Sequence, residues 1–124
     1  MTIMAKEQIL SLIEIERAAF EKAKQVGNCD AAWRALEREH ILGQAFFWQH
    51  IRSHIAMLRF ALTQGEIGEA LGQFVRLVLA PLGNITGRLP WGNTGRSNVN
   101  AFTPMPYPDD LAEIFSLPDQ VHRR

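Results

Sequence analysis

The chain contains a single cysteine, Cys29, so no internal disulfide can form. That fits a reducing compartment, and the cytoplasm is the expected location. No charge of one sign dominates either: 13 basic residues balance 13 acidic ones. That balance argues against non-specific binding through phosphate neutralisation, and no nucleic-acid partner is expected. Long apolar runs are missing. The most apolar segment, FVRLVLAPL, carries Arg76 and Pro81, so no membrane span is expected. The opening MTIMAKEQILSLIEIER places acidic residues inside its apolar part, unlike a secretory signal. A nucleophile elbow, paired metal-binding cysteines and a dinucleotide fingerprint are all lacking. What is present is 124 residues with 47% apolar and 21% charged content, which suggest one domain over 1–124.

Apolar periodicity predicts an all-α fold with three main helices, near 3–26, 31–63 and 66–80. In the first, Ile9, Leu10, Ile13, Phe20 and Ala23 share a face. Gly27-Asn28 ends it, and Asp30 offers the cap of the second. The second helix collects Trp33, Leu36, Phe47, Ile51, Ile55, Leu58 and Leu62 on one stripe. Gly43 interrupts it, as a kink or as the close approach of another helix. The third helix is apolar almost all round, which predicts that it is the most buried.

A faint repeat links the turns. Ala23, Gly27, Ala32 and Arg38 recur thirty-eight positions later as Ala61, Gly65, Ala70 and Arg76, with Leu36 answering to Phe74. Helical hairpins of the tetratricopeptide type show such a pattern, as do two unrelated antiparallel turns. From 81 to 108 the chain is rich in Gly, Asn and Pro, yet holds Trp91, Phe102 and Met105. An ordered strap across the helices is expected, with those three side chains buried. A short helix near 110–116 and a frayed tail complete the expectation.

ALEREHILGQ, the HxxxH of His50 and His54, GQFVRL and LPWGNTGRSNVNAFTPMPYPDDL together resemble one family. They are similar to the small bacterial proteins grouped as domain of unknown function 3703. The resemblance covers about Phe20 to Leu111 and implies a small helical bacterial protein without an assigned activity. It also points weakly toward heavy-metal tolerance.

Polar groups on the apolar stripe are the candidate site, because a buried polar group needs a partner. They are Glu37, His40, Gln44 and His54, joined by Gln73 and Arg76 of the third helix. His50 and His54 stand four apart, so both rings can face one ion, zinc for example. His40 lies ten residues from His50, about 15 Å along an unbroken helix, which excludes a shared ion. Further ligands would come from Glu16, Gln73, Cys29 or the Asn-rich strap. Glu37 is expected to pair with Arg76 or Arg17. In the structural alternative, His40, Gln44 and Gln73 simply hold strap carbonyls. GNTGR, Gly92 to Arg96, reads as a tight turn rather than a phosphate cradle.

Three function classes remain. First comes a helical interaction or scaffold module whose partner is another protein. The alternative is a small metal-binding accessory protein using His50 and His54. The third is an enzyme with Glu37 and His40 as an acid–base pair. Oligomeric state is not legible.

Overall fold

The computed structural model describes residues 3–115, and all regular structure in that range is helical. Five helices follow in order: α1 Ile3–Gln25, α2 Cys29–Gly43, α3 Phe47–Thr63, α4 Ile67–Thr86 and α5 Asp109–Phe115. The tail expected to fray, from Pro118 onward, lies outside the described residues. No helix among the described residues is long and apolar enough to cross a membrane.

The expected second helix is two helices. It breaks after Gly43, turns through Gln44-Ala45-Phe46, and restarts at Phe47. Gly43 is the reason the two halves can meet. A Cβ there would stand 2.8 Å from the Gln49 Cβ, so only glycine admits the first turn of α3 at that distance. The orphan carbonyl of Gln44, at the end of α2, is taken by the Asn84 side chain at 3.0 Å. The break also resets the helical phase. Phe47, Ile55 and Leu62, expected in the core, are exposed, while His50, Ser53, His54, Met57, Phe60 and Ala61 face inward.

The turns at 26–28 and 64–66 are built alike. Gly27 and Gly65 take φ of +78° and +72°, and in each the following amide closes on the alanine four positions before the glycine: Asn28 N–H on Ala23 and Glu66 N–H on Ala61. These are left-handed C-terminal caps. The correspondence stops at Leu36, which is buried, and Phe74, which is exposed. Asn28 rather than Asp30 caps α2, its side chain accepting from the Ala31 N–H.

α1 packs mainly on α2 and α3 mainly on α4, with a narrower seam between α2 and α3. One core cluster gathers Phe20, Trp33, Leu36, Met57 and Phe60, with Phe60 edge-on to both Phe20 and Trp33. A second gathers Ile9, Ile13, Ile41 and Leu42 with Leu111 and Phe115 of α5. Arg17 crosses from α1 to the buried Glu39 of α2 with two hydrogen bonds of 2.6 and 2.7 Å.

α4 departs most from expectation. It runs through Pro81 to Thr86 and ends at Gly87, φ +74°. Pro81 withholds an N–H and crowds the carbonyl four residues earlier. The turn beyond it is nonetheless anchored, because Asn84 reaches two groups of the α2–α3 elbow. Nor is α4 the most buried helix: only Ala70, Gln73 and Ala80 are buried. Ile67, Leu71, Phe74, Val75, Val78, Leu82 and Ile85 are each more than half exposed. The helix is covered on one side only, by α3 and by the segment that follows it. Within that segment Trp91 and Met105 are half-buried, but Phe102 is 71% exposed, contrary to expectation.

Candidate metal centre

Folding α3 back on α2 removes the 15 Å that an unbroken helix would impose. His40, near the end of α2, comes to lie beside His50 and His54 in the first turns of α3. The three ring centroids stand 4.7 to 5.1 Å apart. One ring nitrogen from each lies within 4.8 Å of the others, and all three side chains are buried. The sequence reading that separated His40 from the pair is therefore overturned, and the cause is the elbow at Gly43.

What surrounds the rings settles which nitrogen is free. His40 Nδ1 lies 2.8 Å from the carbonyl oxygen of Asn93, which can only accept. His50 Nδ1 lies 2.7 Å from Asn84 Oδ1, whose amide N–H₂ already donates to Gln44. His54 Nδ1 lies 2.7 Å from Gln73 Oε1, whose N–H₂ already donates to Glu69 and to the Gly95 carbonyl. All three partners are oxygens, so each Nδ1 carries the proton. Each Nε2 then presents a lone pair. This is the arrangement that metal-binding histidines use, the outer hydrogen bond fixing tautomer and ring direction. A tetrahedral zinc ion holds its ligands at 2.0–2.1 Å, so neighbouring nitrogens sit about 3.3 Å apart. The ring nitrogens that lie within 4.8 Å of one another thus stand at most about 1.5 Å wider than that spacing.

The segment after α4 builds the remaining wall. Asn93 is buried and its side chain holds the loop: Nδ2 donates to the Asn100 and Thr103 carbonyls, and Oδ1 accepts from the Gly95 N–H. Gly95, φ +84°, lies flat on His40, where a Cβ would come within 2.7–3.0 Å of three ring atoms. The GNTGR loop is thus the brace of His40. Its arginine is engaged too: Arg96 stacks 3.7 Å over Trp33 and pairs with Glu37 and Glu69 at 3.1 and 3.2 Å.

A cavity of about 330 Å³ opens beside the rings. It is lined by the triad, Gln44, Arg76 and apolar groups that include Leu79, Leu82, Leu89 and Phe102. Gln44 donates through Nε2 to the Pro90 carbonyl, but its buried Oε1 has no hydrogen-bond partner. Three protein ligands with open space alongside is the pattern of catalytic rather than structural zinc.

Not every expected site residue gathers here. His40, Gln44, Gln73 and Arg76 do, with His50 and His54. Glu37 lines a separate cavity, half-buried against Arg96, and burial raises its pKa above the usual carboxylate value. It and His40 do not form an acid–base pair. Arg76 holds the Val99 carbonyl at 2.6 Å rather than Glu37, and the acid that Arg17 meets is Glu39. Glu16 pairs with Arg38 and Cys29 with Gln64, so neither completes a ligand shell. Reading the sequence missed Asn84 and Asn93. The one signal for them was asparagine beside glycine in GNI and GNTG, which reads equally as turn chemistry.

Acid should unfold the metal-free protein through this cluster. Burial, then the neighbouring His50, holds His54 down to about 3. Burial, then His54 and His50, holds His40 well below its ordinary value, and burial lowers His50. Arg76 opposes protonation of His40 and His54 as well. The folded values lie below the unfolded value near 6.5, so the unfolded chain binds protons first as pH falls. The stability is full above about 6.5 and is lost between there and the folded values, at roughly 1.4 kcal/mol per pH unit for each ring. Thermal melts in chelator should show a Tm that falls steeply from pH 7 to pH 5. An unchanged Tm would mean that the rings are not held neutral.

Fold and site together define a small helical protein with a buried three-histidine cluster open to a cavity. The chain belongs to the family described as protein of unknown function (DUF3703), matching it over residues 7–115. No curated protein and no solved structure matches the chain.

Proposed function

We propose that the chain binds one divalent transition metal, zinc by ligand type, through Nε2 of His40, His50 and His54. The observation that carries this is the triple clamp: three oxygens, each from a different residue, hold three Nδ1–H groups and leave Nε2 free on three rings whose centroids stand 4.7 to 5.1 Å apart. A core that merely buried its histidines would need neither a common tautomer nor a common direction. The ligand pair expected from spacing, His50 and His54, is retained and His40 completes it. An all-imidazole shell suits zinc or another borderline ion. The reading is that of a binding protein, with the cytoplasmic setting kept as an expectation from the single cysteine, and the bacterial origin and metal-tolerance association as expectations from the family. Native mass spectrometry and metal analysis of protein purified without a histidine tag should give one ion per chain. Protein that takes up no zinc, cobalt or nickel at micromolar concentration would end the proposal.

A second reading, an interaction module built of helical hairpins, rests on the outer face of α4. Its seven exposed apolar residues run the length of a helix about 30 Å long. The only charges on α4, Glu69 and Arg76, are both engaged on its inner side. A charge-free stripe of this size offers nothing to steer an unlike partner, but can bury the ~800 Å² per side that stable dimers need. A second copy of this chain, paired by a two-fold axis, is the occupant it fits. Sedimentation velocity should show a dimer that Val78→Glu with Leu71→Glu converts to monomer. A wild-type monomer at 100 μM, an amount of about that order for a weak dimer, would rule it out.

A further inference from the structure

Charge around the triad limits what else can enter. Three neutral imidazoles leave a divalent ion with its full charge, in a cavity whose other charged lining groups are Arg76 and Arg88. No aspartate or glutamate lines it. Buried charge is tolerated only when paired. Arg76 is itself half-buried and bonded to the Val99 and Gly72 carbonyls; Glu69 acts on it electrostatically, but no carboxylate stands within ion-pair distance among the described residues. Those two bonds leave most of its five donors for something else. Apart from Thr86 and Asn93 the remaining walls are apolar, chiefly Leu79, Ala80, Leu82, Leu89 and Phe102. One acceptor, Gln44 Oε1, is buried there without a donor.

From these features we infer that the cavity binds a small organic carboxylate carrying a hydroxyl group, as the fourth ligand of the metal. The inference rests on the metal reading above. The carboxylate supplies the negative charge that the ion and Arg76 lack. The hydroxyl supplies the donor that Gln44 Oε1 lacks. An apolar body covers the leucine wall, and the cavity has room for about ten groups the size of a water molecule. A phosphate would meet the charge but waste the wall. A neutral amide would meet the wall but leave the charge unpaired.

The test uses the full chain loaded with Co²⁺, whose visible spectrum reports its coordination. Mandelate, phenylacetate, 2-phenylacetamide and inorganic phosphate are titrated in turn. Mandelate is expected to shift the spectrum at the lowest concentration, phenylacetate at about ten times more, and the neutral amide not at all. In protein saturated with Co²⁺, Arg76→Gln should weaken both carboxylates at least tenfold. Gln44→Met should erase the difference between mandelate and phenylacetate. Absence of any cobalt spectrum defeats the metal reading and this inference with it. Cobalt bound but unmoved by either carboxylate overturns the inference alone, as does phosphate binding more tightly than mandelate.

Discussion

His40→Ala is expected to lower zinc affinity by more than 100-fold. Loss of an outer hydrogen bond to a ligand already costs 10–100-fold, and removing one ligand of three must cost more. Histidine spacing alone ranks the three differently, since it pairs His50 with His54 and leaves His40 aside. The comparison of His40→Ala, His50→Ala and His54→Ala is therefore decisive. All three should lose binding to a similar degree, and at 100 times the wild-type Kd the metal should raise stability by about 2.7 kcal/mol in the wild type alone. If His40→Ala binds zinc as the unmutated protein does, the elbow brings the rings together without making a site. A milder variant is Asn84→Ala, which removes the clamp of His50 and the bond to the Gln44 carbonyl but not a ligand. It should lose 10–100-fold and no more.

The second large effect concerns Gly92. It takes φ +81°, and a Cβ there would fall 1.9 Å from the Met105 carbonyl oxygen and 3.0 Å from its carbon. Backbone, not a movable side chain, fills the space. Met105 in turn donates its N–H to the Trp91 carbonyl at 3.0 Å, so the two strands of the loop are held at that distance. Gly92→Ala must separate them or adopt a different φ, and the left-handed region alone costs about 1–2 kcal/mol. We expect about 3–5 kcal/mol in total, a large part of the 5–15 kcal/mol typical of a domain. Denaturant unfolding measures it. Because Asn93 follows directly, zinc affinity should fall together with stability. A variant as stable as the wild type would show that the loop has slack.

Much of this was readable from the chain. The helical class and the limits of α1 follow from the spacing of Ile9, Ile13 and Phe20, and the two glycine turns from Gly27 and Gly65. The elbow was legible only at Gly43, which marks a kink or a close approach; the full reversal was not, because Gln44, Ala45 and Phe46 contain no breaker and continue the helical pattern. Tertiary contacts make the break: the space left by Gly43, and Asn84 Nδ2 donating to the Gln44 carbonyl. A helical wheel carried across a break reports the wrong face, which is why Phe47, Ile55 and Leu62 were misplaced. Glu39 was missed and Glu37 chosen for the buried pair because one helical stripe was assumed to define the interior, whereas α2 is covered on two sides, by α1 and α3. That His40, Gln44 and Gln73 hold strap carbonyls was expected, and they do, but which residue clamps each ring was out of reach for another reason. Asn84, Asn93 and Gln73 lie 19 to 53 positions from the histidines they hold. No local pattern marks a pairing at that range.

The narrow seam between the two hairpins has a consequence for cooperativity. α1 with α2, and α3 with α4, are each closed by short turns and broad contact, so each can form and open as a unit. The triad straddles the boundary: His40 belongs to the first unit, His50 and His54 to the second. An ion held by all three would add a rivet to the core cluster that already joins the two units. Amide exchange in α2 and α3 should then slow together on loading, with the gain largest at the elbow that joins them, so that two half-independent hairpins come to unfold as one.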